Sequence, residues 1–206
     1  RWQGLRRTLL GLLPLLTLMA LGQWGLDESL LRGGNWYAWP LAVAALFFSL
    51  KRFEAWQSSD QSSSQSSTAR WLAIYHAGAV WLVTFWLARL GYQFMRTRTE
   101  VDTWHLLPLL LIPGAMLALV GIFPTRLPVP MGNHPRWYDR LAALPLAIFL
   151  VLASLWVSID ASGMSDPLPY VPLVNPLELG LLFALFGVYV WSRSAVTQLA
   201  IRKDYI

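Results

Sequence analysis

Asp166-Pro-Leu-Pro-Tyr-Val-Pro-Leu-Val-Asn-Pro-Leu-Glu-Leu-Gly180 lies between two long apolar runs, and its reading decides the fold. Pro167, Pro169 and Pro172 each fix φ and push the preceding residue out of the helical region, so the first half is extended and stiff. The second half is a helix start. Asn175 is a good N-cap, Pro176 occupies the first helical position, where a missing N–H costs nothing, and Glu178 falls at the third. Asn-x-x-Glu has the form of a capping box, which accounts for these polar residues without a ligand. The stretch thus joins two apolar runs, the second of which starts as a helix at Asn175.

The remaining apolar runs agree. Only 13% of the residues are charged and 56% are hydrophobic, whereas soluble domains carry about 25% charged residues. Six runs read as spans: about 8–26, 34–50, 71–92, 104–123, 141–159 and 175–191. The expected fold is therefore all-α, a polytopic transmembrane bundle of about six spanning helices. Between the second and third runs, Gln57 to Ala69 is rich in serine and glutamine and cannot bury apolar surface. It divides a two-helix hairpin (1–56) from a four-helix unit (70–206), with 57–69 expected as a disordered cytoplasmic linker.

Orientation follows from lysine and arginine. Twelve of the 16 flank one set of alternating ends, and four (Arg32, Arg89, Arg96 and Arg98) lie on the other. The positive-inside rule places both termini in the cytoplasm and the proline-rich connector outside. Because the basic residues stand singly or in pairs at span ends, the net charge of +5 reads as topology and not as nucleic-acid binding. Cysteine is absent, which excludes disulfides and thiolate chemistry. The chain opens on Arg1, so a segment of a longer protein is expected, its partners being membrane lipids and the remaining helices of that protein.

Asn133-His-Pro-Arg-Trp-Tyr138, followed by an apolar span and by Pro167-Leu-Pro-Tyr-Val-Pro-Leu-Val-Asn-Pro-Leu-Glu178, resembles the C-terminal part of a large family of bacterial predicted membrane proteins, domain of unknown function 2339. Gly33-Gly-Asn-Trp-Tyr-Ala-Trp-Pro40 and His76-Ala-Gly-Ala-Val-Trp81 are similar to other segments of that family. Glu178 stands where the family usually has aspartate, and either side chain serves a cap. The resemblance implies a multi-pass protein of the bacterial inner membrane with many helices. It brings no activity, cofactor or catalytic residue.

The residues able to carry chemistry are few. Arg89, near the outer end of the third run, suits either snorkelling into headgroups or an anion contact. Trp81, Phe85 and Arg89 share a helix face at i, i+4 and i+8, a spacing that can line a groove. Arg89, Asp160, Asp166 and Tyr170 are the candidates for an outer catalytic cluster. Pro167, Pro169, Tyr170, Pro172, Asn175, Pro176 and Glu178 form the structural motif. His76 has no metal-ligand companion at suitable spacing and is expected to bond across helices. No phosphate loop, nucleophile elbow or cofactor motif is present. The reading ranks a structural or scaffolding module first, an outer-leaflet enzyme acting on a lipid-linked sugar, phosphate or acyl donor second, and a transporter or channel component third.

Overall fold

A computed structural model describes residues 3–25, 33–59, 65–123, 138–166, 169, 171 and 175–203. Among these, the chain forms six α-helices: α1 (Gln3–Gly25), α2 (Asn35–Ser59), α3 (Gln65–Arg96), α4 (Asp102–Ile122), α5 (Leu144–Asp160) and α6 (Pro176–Lys203). A six-residue π-helical turn, Tyr138–Ala143, leads into α5. Pro145 offers no N–H to the Leu141 carbonyl and crowds it, a local reason for the wider winding just ahead.

Among the described residues, four segments are long and apolar enough to cross a membrane: Trp71–Arg96, Asp102–Ile122, Arg140–Asp160 and Pro176–Thr197. A 21-residue helix rises about 31 Å, the thickness of a hydrocarbon core. Gly11–Gly25 is apolar but shorter, and α2 carries Lys51, Arg52 and Glu54 in its second half. The bundle thus has four to six spans. Its helices overrun the expected limits at the serine-rich tract: α2 continues to Ser59 and α3 starts at Gln65. Once a helix is nucleated, each added residue gains a hydrogen bond, so polar ends are carried along. Residues 60–64 of the expected linker lie outside the described residues.

Helix α3 is the shared wall of two cores. Its Leu72, Tyr75, Ala79 and Leu82 pack with Leu16 of α1 and Trp39, Leu46 and Leu50 of α2. On its other side Ala77 and Val80 join Leu110 and Leu117 of α4, Leu146 and Leu150 of α5 and Ala184 of α6. Small residues bring the second group close. An added Cβ would come within 2.9 Å of the Trp191 α-carbon at Gly121, and within 2.6 Å of the Pro108 ring at Gly91. Without a hydrophobic force between helices in lipid, such close backbone approach is what holds them. Outward, α5 and α6 present large apolar side chains, among them Leu152, Trp156, Ile159, Leu182, Phe186 and Tyr189.

Candidate functional site

Trp81, Phe85 and Arg89 do line one space. A cavity of about 250 Å³ lies between α1, α2 and α3, walled also by Trp24, Trp39 and Trp86. Arg89 is only 7% exposed, so it does not snorkel outward. Its guanidinium carbon stands 5.4 Å from the centre of the Trp24 ring and 5.5 Å from that of Tyr92, distances at which aromatic faces attract a cation. Trp39 and Trp86 stack with centroids 5.9 Å apart. The Trp39 indole donates to Gln23 Oε1 at 2.8 Å, and Gln23 in turn donates to Asn35 Oδ1 at 3.3 Å. Trp81 reaches the opposite core, donating to the Ala142 carbonyl at 2.9 Å, while Phe85 meets Phe149 of α5 edge-on at 5.0 Å.

Two of the other outer candidates, Asp160 and Asp166, are placed elsewhere. Among the described residues, nothing from Asp160 to Gly180 lines the Arg89 cavity. Asp160 closes α5 with an exposed side chain, and the Asp166 side chain is exposed too. The Asp166 backbone is anchored, its carbonyl accepting the Trp104 indole N–H at 3.0 Å. Tyr170, Pro167 and Pro172 lie outside the described residues, and Pro169 is exposed. Asn175, by contrast, is buried and bonds twice. Its Oδ1 accepts the Leu177 N–H at 2.9 Å, and its Nδ2 donates to the Gly163 carbonyl at 2.6 Å. Gly163 takes φ +71°, a conformation that favours glycine. Pro176 is fully buried at the first position of α6, and Glu178 stands in the first turn.

At the other end of α3, a buried polar group joins three elements. His76 Nδ1 pairs with the Tyr138 hydroxyl of the π turn, and His76 Nε2 lies 3.5 Å from Glu54 Oε1 of α2. Burial, with the Glu54 charge second, pushes the Tyr138 phenol well above its ordinary range. Glu54 is invisible to a reading that ends the second span at Leu50. The signal that finds it is the continuation of the buried register of α2, Leu46, Leu50 and Phe53, by one more residue.

Residues 1–205 match the family described as "Predicted membrane protein (DUF2339)". The chain belongs to the DUF2339 family. No curated protein and no solved structure matches it. In this DUF2339 chain the proline-rich motif ends in a formed helix cap, and the Gly33–Pro40 segment begins α2, setting Trp39 against the cavity. Among the described residues that line the cavity there is no carboxylate or imidazole. Among the described residues no three histidine, aspartate or glutamate side chains stand together as a metal-ligand set.

Proposed function

We propose that this DUF2339 chain is a non-catalytic packing module of the bacterial inner membrane, with both ends of the segment in the cytoplasm. Its helices pack on one another, on lipids and on further membrane helices. The observation that carries the reading is how the buried polar side chains are used. His76 with Tyr138, Trp39 with Gln23 and Trp81 with the Ala142 carbonyl are ties between separate elements, and Asn175 with the Gly163 carbonyl closes the connector between α5 and α6. In a bilayer such ties fasten helices, whereas an active site gathers polar groups around one space. The excess of lysine and arginine at one set of helix ends supports the orientation.

Turnover tests it. The purified protein is incubated with lipid-linked sugar, lipid-linked phosphate and acyl donors, and the donors are recovered for mass analysis. A packing module returns them unchanged. A product formed by the wild type and lost in Asp160→Ala or Asp166→Ala would establish the outer-leaflet enzyme instead.

A further inference from the structure

We propose that Glu54 of α2 fixes the proton of the His76 imidazole on Nε2, and that this tautomer is what lets the Tyr138 hydroxyl of the π turn donate to Nδ1. One imidazole thereby couples the α1–α2 hairpin to the turn that leads into α5. The inference rests on the fastening role argued above and adds that two of the fastenings depend on each other.

The two ring nitrogens are taken by different elements. Nδ1 meets the Tyr138 hydroxyl, and Nε2 lies 3.5 Å from Glu54 Oε1. His76 is fully buried and the Glu54 side chain is 13% exposed, so water screens little of the field between them. Carboxylate, imidazole and hydroxyl stand in the order of a hydrolase triad. Tyr138 is only 2% exposed, which leaves its hydroxyl no access to a substrate. The row of three can hold elements together but has nothing to attack.

A neutral imidazole carries one proton and can place it on either nitrogen. On Nε2, the N–H dipole points toward the carboxylate, and the Nδ1 lone pair is left to accept from Tyr138. On Nδ1, the Nε2 lone pair faces the carboxylate and is repelled. The Tyr138 hydroxyl would then have to turn and accept, and its own hydrogen would need another acceptor in a buried setting. Burial and the Glu54 charge both favour the phenol over the phenolate, so Tyr138 does have a hydrogen to place. The carboxylate on α2 therefore decides which way the hydrogen bond between α3 and the π turn runs. Glu54 is a positioning residue that acts through the imidazole.

The test is nitrogen-15 NMR of the whole chain in mild detergent, labelled at histidine and recorded at about pH 8, above the ordinary histidine value of about 6.5. The chain has three histidines, and His76→Asn identifies the His76 signals by their loss. The wild type should show a protonated Nε2 and an unprotonated Nδ1. Glu54→Leu should lower the ratio of the Nε2–H to the Nδ1–H tautomer about tenfold or more, while Glu54→Asp, which keeps the charge, should leave Nε2–H in excess. If Glu54→Leu does not fold, Glu54→Gln takes its place, and the ratio should fall in it as well. A wild-type imidazole protonated on Nδ1, or on both nitrogens, overturns the proposal, as does a ratio unchanged by loss of the carboxylate. Dodecyl sulfate unfolding separates this inference from the one beneath it. Glu54→Leu and Tyr138→Phe combined should change the unfolding constant about threefold less than the product of their separate effects, and a His76→Phe background should abolish that difference. Separate effects that simply multiply would overturn the coupling and leave two independent fasteners. Single variants as stable as the wild type would take the fastening role down with it.

Discussion

Gly187 of α6 lies against the backbone carbonyl of Gly114 on α4, so close that no methyl group fits between them. At Gly114 an added Cβ would meet the Phe183 carbonyl oxygen at 2.8 Å. Backbone faces backbone here, and neither partner can swing aside as a flexible side chain would. The α4–α6 pair is the tightest seam in the second core for that reason.

Gly187→Leu should force the two helices apart and cost about 1–3 kcal/mol, the usual penalty of overpacking. Unfolding of the detergent-solubilised protein by added dodecyl sulfate measures it. Gly22→Ala is the control, since nothing lies within 4 Å of a Cβ there. It should stabilise α1 slightly, by less than about 1 kcal/mol.

Asn175→Ala removes both the Leu177 cap and the bond to the Gly163 carbonyl, and should lower stability by about 1–2 kcal/mol. Asn175→Asp keeps the acceptor for Leu177 and loses the donor for Gly163. Its thermal midpoint should fall between those of wild type and Asn175→Ala. A midpoint for Asn175→Ala equal to wild type would remove the cap from the account of α6.

Trp81→Phe retains a ring beside Phe85 and deletes the hydrogen bond to the Ala142 carbonyl. The π winding at Tyr138–Ala143 lies outside the regular i→i−4 ladder, so its carbonyls accept from side chains more readily than those of an α-helix interior. The expected loss is about 0.5–1.5 kcal/mol, read from the same dodecyl sulfate titration. No loss would mean that the two cores are joined by packing alone.

Burial and the Glu54 charge raise the Tyr138 phenol above its ordinary value of 10.0. Above that pH the unfolded chain ionises this group while the folded chain keeps its proton. Its contribution to stability is therefore complete below about pH 10 and declines as the pH rises further. Tyr138→Phe should flatten the alkaline limb of a melting-temperature profile relative to wild type. An alkaline limb identical in the two would show that another group sets it.

Much of this fold is readable without coordinates, because membrane spans announce themselves by length and apolarity. The apolar runs correspond to the helices, and the Asn175-Pro176 start of α6 follows from local backbone chemistry. Ends are harder. The second run loses its apolar character at Lys51, yet α2 continues to Ser59, since a helix does not stop where hydrophobicity does. That difference hides Glu54, and with it the setting of His76. The Tyr138 partner of His76 is 62 residues away, a pairing that no local pattern encodes. Trp81, Phe85 and Arg89 are legible as one face of α3, but that α1 supplies the opposite wall with Trp24 depends on how the hairpin folds back. The seven-residue spacing of Gly114 with Gly121 and of Gly180 with Gly187 is present in the sequence as a pattern. Its meaning appears only when the two helices face each other.

The central claim is that the buried polar residues fasten helices. A double-mutant cycle on His76→Ala and Tyr138→Phe, followed by dodecyl sulfate unfolding, tests it most directly. The claim predicts that each single variant is destabilised and that the pair is coupled by at least about 0.6 kcal/mol, the average for side-chain hydrogen bonds between membrane helices, whose maximum is about 1.7 kcal/mol. Two single variants as stable as wild type, with effects additive to within about 0.3 kcal/mol, would contradict it.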